Sequence, residues 1–268
     1  MTTFLDKIVA ETRESLAVRS AEIDISRLRG EAEACRIDRD NFRLSEVLSV
    51  KDRANIIAEI KRASPSKNII DASVNAAERA MTYEQSGAAA ISILTEPKYF
   101  KGSLDDIRDA SKSVSIPLLR KDFIVDPVQI YEAATARADA VLLIVAALND
   151  AELRGLLTLA NSLGLDALVE VHSLAELRAA EDCGASIIGI NNRDLHSLTV
   201  DLATSFELAE YKPANTLLVA ESGITSGDEI ERLRDAGFDG FLIGEALMTS
   251  DDPADALAAL AAAGGSHG

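Results

Sequence analysis

From residue 54 onward the chain repeats one pattern eight times: a short apolar run, then an amphipathic stretch. The runs cover Ile56–Ile60, Ala88–Leu94, Pro117–Leu119, Ala140–Val145, Ala167–Val171, Ile187–Ile190, Thr216–Ala220 and Gly240–Ile243. Between them, segments such as Asp150–Leu163, Ser173–Asp182 and Ser226–Ala236 place apolar residues three and four apart, the helical period. Gly87, Gly164, Gly184 and Gly237 fall where those helices should stop. Runs that are apolar on both faces suit strands covered on both sides. Strands joined through helices are parallel. Two architectures meet these conditions, a closed barrel and an open doubly wound sheet. The open sheet commonly carries a Gly-rich dinucleotide turn after its first strand, and this chain has none. The eightfold repeat in 268 residues predicts a (β/α)8 TIM barrel, whose usual size is about 250 residues.

The barrel is expected over residues 51–265 as a single catalytic domain. Residues 1–50 precede the regular pattern and read as helical, with Phe4, Leu5, Ile8, Val9 and Leu16 on one face. They are expected to form an N-terminal helical extension that covers one end of the barrel. The tail from Ala254 begins as an Ala-rich helix and ends in Gly-Gly-Ser-His-Gly, which is expected to fray.

Charge and cysteine usage narrow the partners. The formal net charge is −17, a field that repels nucleic acid and anionic lipid, so neither is an expected partner. If the ligand is an anion, its site must be locally positive. Cys35 and Cys183 are too few for a disulfide framework and are expected as free thiols in a reducing compartment. The N-terminus carries no apolar leader, and no run of 18 apolar residues occurs. A cytoplasmic location with no obligate protein partner is expected.

In this architecture the chemistry sits where strands run into the following loops. The runs end in Glu59-Ile60-Lys61-Arg62, Thr95-Glu96, Arg120-Lys121-Asp122-Phe123, Glu170-Val171-His172, Asn191-Asn192-Arg193-Asp194, Glu221-Ser222-Gly223 and Gly244-Glu245. Glu59 and Lys61 are two apart and share a strand face, inward if Ile60 faces the helices. Charges inside a barrel mouth are costly unless paired or used. Lysines and carboxylates recurring on alternate strands point to one shared cavity. The glycines after strands seven and eight allow backbone N–H groups to close on a phosphate. Lys61, Arg62, Lys121 and Arg193 are the cations available to offset the global charge. Burial and neighbouring cations are expected to lower the pKa of a lysine there, suiting it to acid–base work. His172 and His196 stand alone near loops and read as structural.

Taken together, these blocks resemble the indole-3-glycerol-phosphate synthase family. The resemblance rests on Ala58–Ser66, Leu94-Thr95-Glu96 with Tyr99-Phe100 and Gly102-Ser103, and Lys121–Ile124. It continues through Gly189–Leu195, Ala220–Ile224 and Ile243–Met248. It implies closure of an indole ring from 1-(2-carboxyphenylamino)-1-deoxyribulose 5-phosphate, with loss of carbon dioxide and water, as in tryptophan biosynthesis. By similarity, Lys121 is the general acid on the ketose carbonyl. Glu170 and Lys61 handle later proton transfers, and Glu59 is a further carboxylate. Asn191, Glu221 and Ser222 position the substrate, while Arg193 and Ser64 hold its carboxylate. Lys61 with Gly223, Gly244 and the Glu245 amide takes the phosphate, and Phe100, Phe123, Leu195 and Leu198 wall the aromatic ring. No cofactor and no metal are implied. Two positions depart from the family pattern. Asn68 stands where Gly is frequent after the Lys, and Asn tolerates the same left-handed backbone. Glu245 stands where some members have a small residue, so only its amide suits a phosphate.

Other readings remain at this point. A different phosphate-binding barrel enzyme, such as a phosphoribosylanthranilate isomerase or a Schiff-base aldolase using Lys121, has the same outline. So does a catalytically silent barrel that binds a sugar phosphate or a partner.

Overall fold

The computed structural model describes residues 3–20, 22–65, 67–195 and 197–263. Ser66, His196 and the glycine-rich end of the tail, all named above, lie outside the described residues. Eight parallel strands close into a barrel in sequence order. They are β1 (Ile56–Ile60), β2 (Ala90–Leu94), β3 (Leu118–Lys121), β4 (Ala140–Ile144), β5 (Asp166–Val171), β6 (Ile187–Asn191), β7 (Leu217–Glu221) and β8 (Gly240–Ile243). Closure is made by β1, which pairs with β2 through Glu59 opposite Ser92 and with β8 through Ile57 opposite Leu242.

All eight expected strands form, but several ends move. An apolar run stops at its first polar residue, whereas a ladder continues while a neighbour supplies partners. Leu94 opposite Lys121 and Asn191 opposite Glu221 therefore lie inside the sheet. At β4 the reverse holds: Val145 leaves the strand and opens a short 3-10 turn, Val145–Ala147.

Side chains alternate between two layers of core. Ile57, Leu119, Leu142, Leu168, Ile187, Val219 and Leu242 fill the barrel interior. Ile56, Ala58, Ile60, Val169, Ile188, Leu218 and Phe241 face the helices. Ile60 thus points outward, which places Glu59 inward.

The N-terminal segment forms α1 (Phe4–Ser20), α2 (Ile25–Arg36) and α3 (Arg43–Leu48). It was expected to cover one barrel end, and it reaches both. Leu44 and Leu48 of α3 are fully buried with the interior residues. The Ser45 N–H donates to Asp166 at the start of β5, 2.9 Å, which places α3 beneath the N-terminal strand ends. The first turn of α1 reaches the opposite end, where Leu5 joins the interior cluster and Phe4 packs edge-on against Tyr99 at 5.2 Å. Between the two, Arg36 is buried and donates to the carbonyls of Ala138 (3.2 Å), Leu163 (3.0 Å) and Gly164 (3.0 Å). Arg39 and Arg43 pair with the fully buried Asp139, which also accepts the Leu118 N–H. An extension tied this way is part of the folded unit, because leaving Asp139 buried without its cations would be strongly destabilising.

The remaining helices fill the crossovers: α4 (Ala76–Gln85), α5 (Leu104–Ala110), α6 (Pro127–Thr135), α7 (Asp150–Ser162), α8 (Leu174–Cys183), α9 (Ala203–Ala209), α10 (Gly227–Asp235), α11 (Glu245–Met248) and α12 (Pro253–Ala262). Capping boxes start α7 at Asn149 and α10 at Ser226. The expected glycine stop of α8 is seen at Gly184, which takes the left-handed conformation at φ +87°. Cys35 and Cys183 are both free thiols.

Candidate active site at the barrel mouth

Loops leaving the C-terminal strand ends enclose a cavity of about 450 Å³. It is lined by Glu59, Lys61, Ser64, Phe100, Lys121, Phe123, Glu170, Asn191, Arg193, Leu195, Leu198, Glu221, Ser222, Gly223, Gly244 and Glu245. Those sequence-predicted site residues therefore line one space. Arg62, expected among the site cations, is elsewhere. It lies on the other face from Lys61 and forms a bidentate pair with Asp106 at 2.6 and 2.7 Å. Parity along the strand explains this, since neighbours in sequence point to opposite sides.

The centre of the cavity is an ammonium held between two carboxylates. Lys121 Nζ lies 2.9 Å from Glu170 Oε2 and 2.6 Å from Glu221 Oε2. Burial alone would lower the lysine pKa, but Glu170, Glu221 and Glu59 reverse the effect and hold it above the usual lysine range. This corrects the expectation of a lowered lysine: the near neighbours are carboxylates rather than cations. The two carboxylates are driven apart. Burial raises Glu170, yet Lys121 and His172 outweigh it and bring its pKa down to about 2. Glu221 forms the shorter ion pair, but burial and the negative charge of Glu170 prevail over Lys121 and push it up to about 7. One carboxylate is thus firmly ionised and the other exchanges a proton near neutrality, the separation that distinguishes base from acid in a shared site. The Glu221 Oε1 atom is buried with no hydrogen-bond partner among the described residues. It is packed against Gly189, where a Cβ would stand 2.1 Å away, so the glycine makes room for the carboxylate.

Just past the end of β1, Lys61 Nζ lies 2.5 Å from Glu59 Oε1. Gly244 is a glycine for a comparable reason: a Cβ there would meet Glu59 Oε1 at 2.2 Å. The loop after β7 turns through Ser222 and Gly223, both left-handed at φ +66° and +84°. Gly244 begins α11 without any side-chain cap, leaving backbone N–H groups at this corner for a ligand. The Glu245 carboxylate turns away to Lys67 (3.2 Å) and Arg193 (3.4 Å). Arg193 also donates to the Leu198 carbonyl at 3.1 Å, which fixes its guanidinium beside the mouth. Asn68 is left-handed at φ +57°, as expected for the residue that replaces glycine.

Phe100 and Phe123 face each other across the apolar wall with ring centroids 6.1 Å apart. The wall is completed by residues that sequence reasoning missed: Phe4 and Leu5 of α1, and Leu142 and Ile144 of β4. Strand parity marks the β4 pair, whereas helical periodicity shows which face of α1 is buried without showing what covers it. His172, read as structural, lies with Nε2 3.5 Å from Glu170 Oε1.

Among the described residues no cluster of three or more His, Cys, Asp or Glu side chains could hold a metal ion. None of the described helices is long and apolar enough to cross a membrane. The closed barrel and its charged, apolar-walled mouth define a (β/α)8-barrel enzyme. Solved structures share this fold. The N-acetylmannosamine-6-phosphate 2-epimerase of Clostridium perfringens superposes with a TM-score of 0.57 at 16% identity, over 73% of this chain and 88% of that one. The thiamine phosphate pyrophosphorylase of Pyrococcus furiosus gives 0.57 at 19% identity, over 78% and 94%. The profile of the indole-3-glycerol phosphate synthase family matches residues 5–260, and the chain belongs to that family. Similar relatives bearing that name include those of Koribacter versatilis, 46% identical over 96% of this chain and 98% of the relative, and Carboxydothermus hydrogenoformans, 44% identical over 97% and 100%.

Proposed function

We propose that this chain is an indole-3-glycerol-phosphate synthase, converting 1-(2-carboxyphenylamino)-1-deoxyribulose 5-phosphate into indole-3-glycerol phosphate, carbon dioxide and water in tryptophan biosynthesis. The observation that carries the reading is the Lys121 ammonium held between Glu170 and Glu221 in the apolar-walled mouth, in a chain matching that family from residue 5 to 260. In the reaction a ring carbon attacks the ketose carbonyl, and a proton must reach the carbonyl oxygen. Lys121 stays charged because of its carboxylates and acts as the general acid. Ring attack leaves an iminium, into which the electrons of the departing carboxylate flow without further catalysis. Glu170, ionised and beside Lys121, takes the proton released when aromaticity returns. Lys61, paired with Glu59, donates to the leaving hydroxyl.

The lining accords with the substrate placement that the family resemblance implies. Arg193 with Ser64 holds the carboxylate, and Phe100, Phe123, Leu195 and Leu198 hold the aromatic ring. Lys61, Gly223, Gly244 and the Glu245 amide take the phosphate, while Asn191, Glu221 and Ser222 orient the sugar chain. Residues 1–50 and the barrel act as one catalytic unit, since α1 contributes Phe4 and Leu5 to the mouth. No protein partner is required, and the two free cysteines accord with a cytoplasmic location.

Held as an ammonium, Lys121 has no lone pair with which to form an imine, which disfavours the aldolase reading. The test is to mix enzyme and substrate and follow indole fluorescence together with carbon dioxide release. The chain contains no Trp, so the protein background is low. Equal yields of both products are expected. Substrate that binds unchanged would overturn the reading, and a borohydride-trapped lysine adduct would favour the aldolase.

A further inference from the structure

Glu245 carries a charge at the mouth that the proposed placement leaves without a task. Only its amide is assigned to the phosphate, while its carboxylate spans two cations on separate loops. Oε1 lies 3.2 Å from Lys67 Nζ in the loop after β1, and Oε2 lies 3.4 Å from Arg193 Nη2 in the loop after β6. Arg193 Nη1 donates to the Leu198 carbonyl at 3.1 Å, so Glu245 engages the other terminal nitrogen. This contact is of a kind that exchanges. It is longer than the 2.9 and 2.6 Å pairs that hold Lys121, and the Glu245 side chain is 41% exposed where the carboxylates of those pairs are buried. Water screens such a pair, and it holds weakly. A substrate carboxylate that presents both oxygens to the guanidinium plane makes the stronger pair and displaces it. Lys67 then keeps the displaced Glu245 carboxylate at the rim.

Decarboxylation reverses the exchange. The bond between the ring carbon and the carboxylate breaks, its electron pair moves into the iminium, and carbon dioxide leaves as a neutral molecule. No proton moves in this step, but Arg193 loses its counter-ion. A pair that is strong before the bond breaks and absent afterwards holds the ground state and slows the step. Resting on the proposed activity, we infer that Glu245 is a resident counter-ion of Arg193, which yields the guanidinium to the substrate carboxylate and takes it back as carbon dioxide forms. Glu245 touches no reacting atom in this role; it is a positioning residue that acts through Arg193. Its return keeps the guanidinium paired beside the apolar Leu195 and Leu198, where a cation without a partner is disfavoured. The charge around Arg193 is then the same before and after decarboxylation, so binding the carboxylate tightly does not slow its departure.

The experiment compares wild type, Glu245→Gln, Glu245→Asp, Arg193→Ala and the double variant Arg193→Ala with Glu245→Gln in the intact chain, with thermal midpoints as the folding control. Glu245→Gln keeps the shape of the side chain and removes the competing charge. Its KM is expected to fall about threefold or more, with kcat falling by a similar factor because Arg193 now holds the departing carboxylate. The carbon isotope effect on released carbon dioxide should rise in the same variant. Glu245→Asp keeps the charge and should move KM less. In the Arg193→Ala background, Glu245→Gln should have no effect of its own on KM or kcat. A KM that is unchanged or raised in Glu245→Gln would overturn the exchange, as would an equal effect in the Arg193→Ala background. A lower KM with no change in kcat or isotope effect would overturn the return of Glu245. A wild-type KM in Arg193→Ala, or an inactive wild type, would instead overturn the reading on which the exchange rests, and the exchange with it.

Discussion

Replacing Glu221 by Gln keeps the shape of the side chain and leaves Lys121 an acceptor in place of the carboxylate now 2.6 Å away. It removes a charge that the fold disfavours. Burial, aided by Glu170 and Glu59 and opposed by Lys121, moves this carboxyl from its ordinary 4.5 to about 7. Between those two values the folded chain keeps the proton while the unfolded chain has released it. Stability therefore falls as pH rises through the window, and the loss is complete above the folded value. Integrating this difference from pH 5.5 to 8 gives about 2 kcal/mol. The amide of Glu221→Gln does not titrate, so the variant should gain about 2 kcal/mol on wild type between those two pH values. At this chain length that corresponds to roughly 4–8 °C in the melting midpoint. Urea unfolding followed by circular dichroism at pH 5.5 and 8 measures the difference. The same variant should convert substrate more slowly, as expected where a strained site is kept for its chemistry. An identical stability difference at both pH values would refute the argument.

Three further outcomes follow from particular contacts. Leu48→Ala opens a cavity beneath the barrel, where Leu48 is fully buried, and should cost about 2–5 kcal/mol in denaturant unfolding while leaving kcat unchanged. Arg193→Ala removes the cation assigned to the substrate carboxylate and should raise KM with little change in kcat; steady-state kinetics with an unaltered KM would show that the carboxylate is held elsewhere. Gly244→Ala sets a methyl where Glu59 Oε1 lies 2.2 Å away, so the carboxylate must shift; kcat/KM should fall about tenfold or more.

The barrel was legible because its strands are buried on both faces and its helices are periodic, two signals that survive without tertiary information. Strand ends were less so: Lys121 and Glu221 look like loop residues in sequence, and only the ladder shows that they close β3 and β7. The mouth residues could be gathered from strand ends because this architecture collects them there. Parity, followed strictly, would have separated Arg62 from Lys61 and placed His172 with Glu170, two residues earlier in the chain. The sign of the Lys121 shift was not legible. It depends on two carboxylates from strands far apart in the chain, 49 and 100 residues from the lysine. Nor was the reach of the N-terminal segment to both barrel ends, since an amphipathic helix does not name its partner.

The central claim is that Lys121 donates the proton that starts ring closure. Its most direct test is the rate of indole formation by Lys121→Met, measured beside wild type with binding followed independently by the shift in melting midpoint. A fall of about a thousandfold or more in kcat, with substrate still stabilising the fold, is the predicted result. Indole formation within about tenfold of wild type would contradict it and move the acid to another group in the mouth.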